Sequence, residues 1–227
     1  MAESSARPVQ VRVWDAPTRL AHWGIAICFG VSWWTVETYR MEWHRWSGYV
    51  MLGLLLFRVY WGVFGSTTAR FASFIRGPRE IWAHVTHLGT RSATDSMGHN
   101  ALGALSVVAM LLMLVAQVTL GLFTVDVDGI ESGPLSHLVD FDTGRLLAKY
   151  HGIGFTVLQW LIGLHIVALL FYTFYKRDRL IPAMITGNKP WQPGWDEASA
   201  ALRFAPFWVF FVGAILAAGA AWYITAS

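Results

Sequence analysis

The sequence predicts an all-α membrane protein, a four-helix transmembrane bundle with a fifth C-terminal transmembrane helix, and three observations predict it. Of the 227 residues, 55% are hydrophobic and only 14% are charged, well below the share of charge found in soluble domains. Apolar stretches long enough to cross the hydrocarbon core, around 20 residues each, recur at 20–37, 46–65, 101–124, 152–174 and 204–226. His151 and His165 lie fourteen residues apart on one of them, HGIGFTVLQWLIGLHIVALLFY. That interval is almost four helical turns, so both imidazoles face one way about 21 Å apart, and a repeated polar group inside a membrane helix needs a function.

The first span follows MAESSARPVQVRVWDAPTRL, which is polar, arginine-bearing and without a small-residue cleavage pattern after a short apolar core. It is therefore expected to stay in the mature protein. His22 lies near its start and Arg58 near an end of the second span, positions where a side chain can snorkel or be paired. The third span opens in MGHNALG, and the fourth carries the two histidines. The fifth, FAPFWVFFVGAILAAGAAWYITA, follows the connector NKPWQPGWDEASAALR. Its Gly213, Ala217, Ala218 and Gly219 have the small-residue spacing of closely packed membrane helices. It reads either as one more helix against the bundle or as a docking helix for a partner subunit. Two parts are expected, a bundle over 1–188 and a connector with the extra helix over 189–227.

Lys and Arg near the helix ends set the orientation. With the N-terminus in the cytoplasm, that side receives Arg7, Arg12, Arg19, Arg70, Arg76, Arg79, Arg91, Lys176, Arg177, Arg179, Lys189 and Arg203, and the other only Arg40, Arg45, Arg145 and Lys149. Five spans then place Ser227 outside, as for a multi-pass protein of a bacterial inner membrane with a periplasmic C-terminus. The net charge of +3 reflects this topology, and no basic stripe on a soluble fold points to nucleic acid. The outer loop TVDVDGIESGPLSHLVDFDTGRLLAKY carries Asp126, Asp128, Glu131, Asp140 and Asp142; it reads equally as a patch that steers a basic partner and as a solvated loop.

The one cysteine, Cys28, excludes an internal disulfide, a Cys-x-x-Cys-His haem attachment and an iron–sulfur ligand set. No G-x-G-x-x-G or Walker loop appears, which argues against a nicotinamide or ATP site. Internal repeats and low-complexity tracts are absent from the sequence.

Antiparallel connectivity turns sequence positions into depths. His44 begins the second helix and His151 the fourth, both at the outer side; His22 begins the first at the inner side, and His165 returns to the inner half. The pairs are thus His44 with His151 and His22 with His165, placed to hold two noncovalent haems through axial iron ligation. Bis-imidazole ligation suits outer-sphere electron transfer, with potential tuned by ligands, burial and hydrogen bonds. Gly48, Gly152, Gly154 and Gly163 would let a flat porphyrin approach, although small residues in membranes more often mark helix packing. His99 has no opposite number and reads as a packing or quinone-side residue, His84 and His87 lack further zinc ligands, and His137 reads as solvated.

From VRVWDAPTRLAHW through WHRWSGYVMLGLLLFRVYWGVFG and GHNALGALSVVAMLLMLVAQVTLGLF to YHGIGFTVLQWLIGLHIVALLFY, over roughly 11–188, the chain resembles the prokaryotic cytochrome b561 family, including cytochrome b subunits of membrane-bound nickel–iron hydrogenases. The resemblance implies a four-helix transmembrane haem-binding bundle in which histidines on the first, second and fourth helices hold two b-type haems, here His22, His44, His151 and His165. The fifth apolar segment departs from that pattern.

The leading functional expectation is electron transfer between a periplasmic redox partner, a c-type cytochrome or a hydrogenase subunit, and the membrane quinone pool. Arg45, Lys149, Arg19 and Arg58 lie at ends suited to haem propionates and equally to lipid phosphates. Trp23 and His99 are candidates for the quinone side. A second reading is a stand-alone superoxide:quinone oxidoreductase, as some members of the family resemble. A third is a haem-free membrane anchor or assembly subunit. A transporter is disfavoured, because no broken helix or paired repeat is evident. Whether the protein is an enzyme by itself, and whether it is an oligomer, stay open.

Overall fold

The computed structural model describes residues 9–90, 96–128, 130–192 and 195–226; Arg7, Arg91 and Ser227 of the charge and topology reading lie outside them. Helices α1 (Ala16–Glu37) and α2 (Met41–Phe64) form an antiparallel hairpin. Its turn is tight: Tyr39 takes a left-handed φ of 55°, and the Arg40 N–H donates to the Thr35 carbonyl at 2.8 Å. Two short helices, α3 (Phe71–Phe74) and α4 (Pro78–Thr86), lead to α5 (Ala101–Leu122), which pairs with α6 (Phe141–Phe174). Then come α7 (Leu180–Thr186), α8 (Asp196–Ala200) and α9 (Phe207–Ala226). The end of the bundle where α1 begins is here the near end, and the other the far end.

The two hairpins meet where α2 packs on α5, and Met51, Leu55, Leu114 and Leu158 form the buried centre between them. Phe155 of α6 closes the bundle against α1 by stacking 5.8 Å from Phe29 and meeting Trp33 edge-on. Among the described residues four helices are long and apolar enough to cross a membrane: α2, α5, α6 and α9. The helix expected at 20–37 is present as α1 and runs along α2, but it is less apolar than these four. Its 22 residues give about 33 Å, the length of a span; Arg19, His22, Ser32, Thr35 and Glu37 lower its hydropathy.

The C-terminal helix lies against α2. A Cβ at Gly213 would stand 2.3 Å from the Tyr60 ring, so the glycine is what admits that ring between the helices. Ala217 and Ala221 continue the buried face, while Ala218 and Gly219 are exposed.

α6 is longer than the expected 152–174. It begins at Phe141, and Asp140 caps it by accepting from the Thr143 N–H at 2.9 Å and the Thr143 hydroxyl at 2.7 Å. Those bonds hold the Asp140 carboxyl below its usual range. The stretch read as the end of the outer loop is therefore helix, and His151 sits well inside α6. Its 34 residues reach about 51 Å, well past the hydrocarbon thickness.

At the near end a small polar layer seals the bundle. The strand β1 (Gln10–Arg12) pairs antiparallel with β2 (Asn188–Pro190). Gly187, with φ 88°, accepts from the Val13 and Trp14 N–H groups at 2.8 and 3.0 Å, and a Cβ there would press to 2.7 Å from the Trp14 carbonyl oxygen. Asp15 caps α1 through the Thr18 N–H at 2.8 Å and accepts from Trp61 Nε1 at 3.0 Å, tying the start of α1 to the end of α2. Lys189 and Asp178 form a salt bridge at 3.0 Å with each side chain 2% exposed.

Losing one member of a buried ion pair strands the other, which costs about 3–5 kcal/mol. Lys189→Met should therefore lower the thermal unfolding temperature in detergent far more than substitution of the exposed Lys149. A second expectation concerns acid. His99, just before α5, packs between Trp14 and Phe74 at 4.7 and 4.6 Å. Burial first, and then the neighbouring Arg58, His22, Lys189 and His165, push its pKa down to about 3. The unfolded chain takes up this proton near pH 6.5 and the folded one does not, so stability falls as pH drops through the window from about 6.5 to about 3. Unfolding temperatures of His99→Leu should decline less from pH 7 to pH 5 than those of the wild type.

Candidate functional site

His44 stands on the first turn of α2 and His151 on α6, at the far half of the bundle. Their ring centres are 6.1 Å apart with the planes at 87°. His44 Nδ1 lies 3.1 Å from the Ser32 carbonyl oxygen of α1, with the Thr35 hydroxyl at 3.4 Å. His151 Nδ1 lies 2.9 Å from the Gln117 carbonyl oxygen of α5. A carbonyl only accepts, so each Nδ1 carries the proton and each Nε2 keeps its lone pair. Both imidazoles are thus fixed in the tautomer that binds metal through Nε2, with a backbone oxygen behind each ring.

They line a cavity of about 390 Å³ whose wall includes Gly48, Tyr49, Met51, Gly121, Gly152 and Phe155. Nothing stands within 4 Å of a Cβ built on Gly48 or Gly152: these two glycines open space beside the two histidines. Gly163 also faces open space, whereas Gly154 packs tightly against α5. Arg45 and Arg145 reach the cavity, where Arg45 bridges to Glu131 at 3.0 Å and Arg145 donates to the Val125 carbonyl at 3.1 Å. Asp126 and Glu131 of the loop line the same mouth, while Asp128, Asp140 and Asp142 are exposed.

The inner pair is less closely drawn. His22 and His165 lie within electrostatic reach of each other, and His99 lies within reach of both. His22 Nδ1 is buried with no hydrogen-bond partner, and so is Nδ1 of His99. An orphan of this kind costs about 1–3 kcal/mol. Trp23 meets the His22 ring edge-on at 5.1 Å and donates to the Met184 carbonyl at 3.2 Å.

Other expected residues have structural employment. Arg19 donates to the Ile185 carbonyl, and Arg58 donates to that of Ala69 at 3.3 Å with its guanidinium over the Phe71 ring. Lys149 is exposed. His84 bonds the Tyr172 hydroxyl at 3.0 Å, its pKa lowered by partial burial and then by Lys176 and His87. His137 is exposed and faces the Pro134 carbonyl at 3.2 Å. Two residues of the far site, Ser32 and Gln117, carry no spacing signal in the sequence, and Arg145 reads in the sequence only as an outer-side charge. Only the depth of Gln117 in an apolar helix marks it.

Among the described residues, no group of three or more His, Cys, Asp and Glu is placed to hold a bare metal ion. Two facing imidazoles suit a metal that brings its own equatorial ligands. A ring bound through nitrogen has its centre roughly 3 Å from the metal, given a bond of about 2.0 Å, so two rings on opposite sides of one ion stand roughly 6 Å apart, which matches the far pair. Gly48 and Gly152 leave the flanks open for a flat ring. The far site therefore fits a haem held by two histidines, and at the near end His22 and His165 are close enough to interact electrostatically.

Helices that cross a membrane around facing histidines define a membrane haem protein of the cytochrome b class. The model of the family described as prokaryotic cytochrome b561 matches residues 13–187, most of the chain, and the protein belongs to that family. It is accordingly a membrane b-type cytochrome of electron transfer. Neither a curated protein nor a solved structure matches the chain.

Gly48→Leu and Gly152→Leu each place a branched side chain in the open part of the far cavity. Each variant should bind less haem per chain than the wild type while its far-ultraviolet circular dichroism stays unchanged, since neither position touches another helix.

Proposed function

We propose that the protein is a dihaem electron conduit between a redox partner at the far face and the quinone pool of the membrane. In this reading His44 and His151 hold one haem b noncovalently and His22 and His165 hold the other. A six-coordinate haem supplies one-electron transfer without exchange of a ligand. The carrying observation is the far pair: ring centres 6.1 Å apart, each Nδ1 committed to a backbone carbonyl, each Nε2 left as a ligand. The chain contributes orientation, through Ser32 and Gln117 behind the rings, and dryness, through the apolar wall of Met51, Leu114 and Leu158.

The basic residues support a cytoplasmic near end and a periplasmic far end in a bacterial inner membrane. Lys176 and Lys189 are buried, but Arg70, Arg76, Arg79, Arg177 and Arg179 stay exposed at the near end. The exposed Asp128, Asp140 and Asp142 at the far face favour a basic docking partner such as a c-type cytochrome; a hydrogenase subunit is the other partner the reading allows. Arg45, neutralised by Glu131, offers little attraction to superoxide, so a stand-alone superoxide:quinone oxidoreductase is the less favoured reading. The division proposed is a bundle over 1–188 and a connector with an added helix over 189–227, with β2 (Asn188–Pro190) and the buried Lys189 joining the two parts at the near end.

The test is the dithionite-reduced minus oxidised spectrum with haem quantified per chain. Two b-type haems are expected, and a colourless protein overturns the proposal in favour of an anchor or assembly role. In substitution to alanine, His44 and His151 should each remove one spectral component, and His22 and His165 the other. Loss of one and the same component on substituting His22 and His44 would refute the pairing.

A further inference from the structure

We infer that Gln117 is a positioning residue for the far haem, gripping the proposed ligand His151 at two points and thereby setting the redox potential at that site. The inference rests on the ligand role proposed for His151.

The grip is reciprocal. The Gln117 backbone carbonyl accepts the His151 Nδ1–H at 2.9 Å, and the Gln117 side-chain Nε2 donates to the His151 backbone carbonyl at 2.9 Å. One residue of α5 thus holds both the ring and the main chain of one residue of α6. The carbonyl of a residue inside a helix is already served by the helix itself, so the amide of Gln117 is an addition specific to this position.

Two glycines make the grip possible, one on each helix. A Cβ at Gly121 would stand 2.9 Å from His151 Cε1 and 3.2 Å from its Nδ1, and a Cβ at Gly154 would stand 2.3 Å from Gln117 Oε1 and 2.9 Å from Met113 Cε. Gly121 makes room for the imidazole and Gly154 for the amide. The arrangement leaves Gln117 Oε1 buried with no hydrogen-bond partner. A polar group desolvated in a membrane helix is unfavourable unless its other end is used, and here that other end fastens His151.

A fastened acceptor behind Nδ1–H raises the basicity of Nε2. A more basic axial ligand favours the oxidised, more positive iron and lowers the potential. Without the Gln117 amide the main chain at His151 keeps its helical bond but loses its tie to α5, so the Nδ1–H bond loosens and the potential rises.

The experiment is a spectroelectrochemical titration, with low-temperature electron paramagnetic resonance of the oxidised protein, on wild type, Gln117→Leu, Gln117→Met and Gly154→Ala. Gln117→Met keeps length but removes the donor, so it should behave as Gln117→Leu does. Gly154→Ala expels the amide from the opposite helix. In each variant the component that His151→Ala abolishes should shift to a higher potential with altered g-values, and the other component should stay where it is. Unchanged potentials in all three variants overturn the inference, and so does an equal shift of both components, which would mean general loosening. Wild-type protein without haem, or His151→Ala retaining both components, overturns the ligand reading instead and the inference with it.

Discussion

The bilayer offers no water to a stray polar group, and the whole molecule is arranged around that constraint. Backbone groups are met by helical bonds inside each span. Many of the side chains that interrupt the apolar surface are bound to a carbonyl, a carboxylate or one another. Ser32 and Ser47 join hydroxyl to hydroxyl at 2.7 Å between α1 and α2. His44 and His151 spend one nitrogen on a backbone carbonyl and keep the lone pair of the other. The exceptions include Nδ1 of His22 and of His99, Gln117 Oε1 and the Thr173 hydroxyl, all buried with no hydrogen-bond partner.

The two ends of the bundle solve different problems. The near end is a polar seal of Asp15, Trp61, Asp178 and Lys189, rigid because each member is buried and bonded. The far end is an open cavity flanked by a loop, with Arg45 tied to Glu131 and Arg145 to Val125. In the function proposed above, the rigid base and the accessible mouth assign the meeting with a redox partner to the far face.

Much of this was legible in the sequence because depth follows from antiparallel connectivity alone. His44 and His151 were matched by depth, and the structure finds their rings together. Rotation about the helix axis is not legible in that way, so the proximity of His99 to His22 and His165 was missed. The start of α6 was hidden because residues 141–150 are polar enough to look like loop, and the capping signal of Asp140 and Thr143 is short. Gln117 was overlooked because nothing in an apolar helix names the partner of a lone amide. The Asp178–Lys189 pair was out of reach for another reason: α7 and the Gly187 turn separate the two residues, and only that turn brings them back.

The β1–β2 ribbon has a consequence for biosynthesis. Its first strand, Gln10–Arg12, is made before α1, α2, α5 and α6, and its partner, Asn188–Pro190, only after them. Until then the first strand has nothing to pair with, and Val13 and Trp14 have no Gly187 carbonyl to bond. Sealing of the near end thus waits until the chain has passed residue 190, after α1, α2, α5 and α6 and before α9, and a chain stalled before residue 188 has its base open.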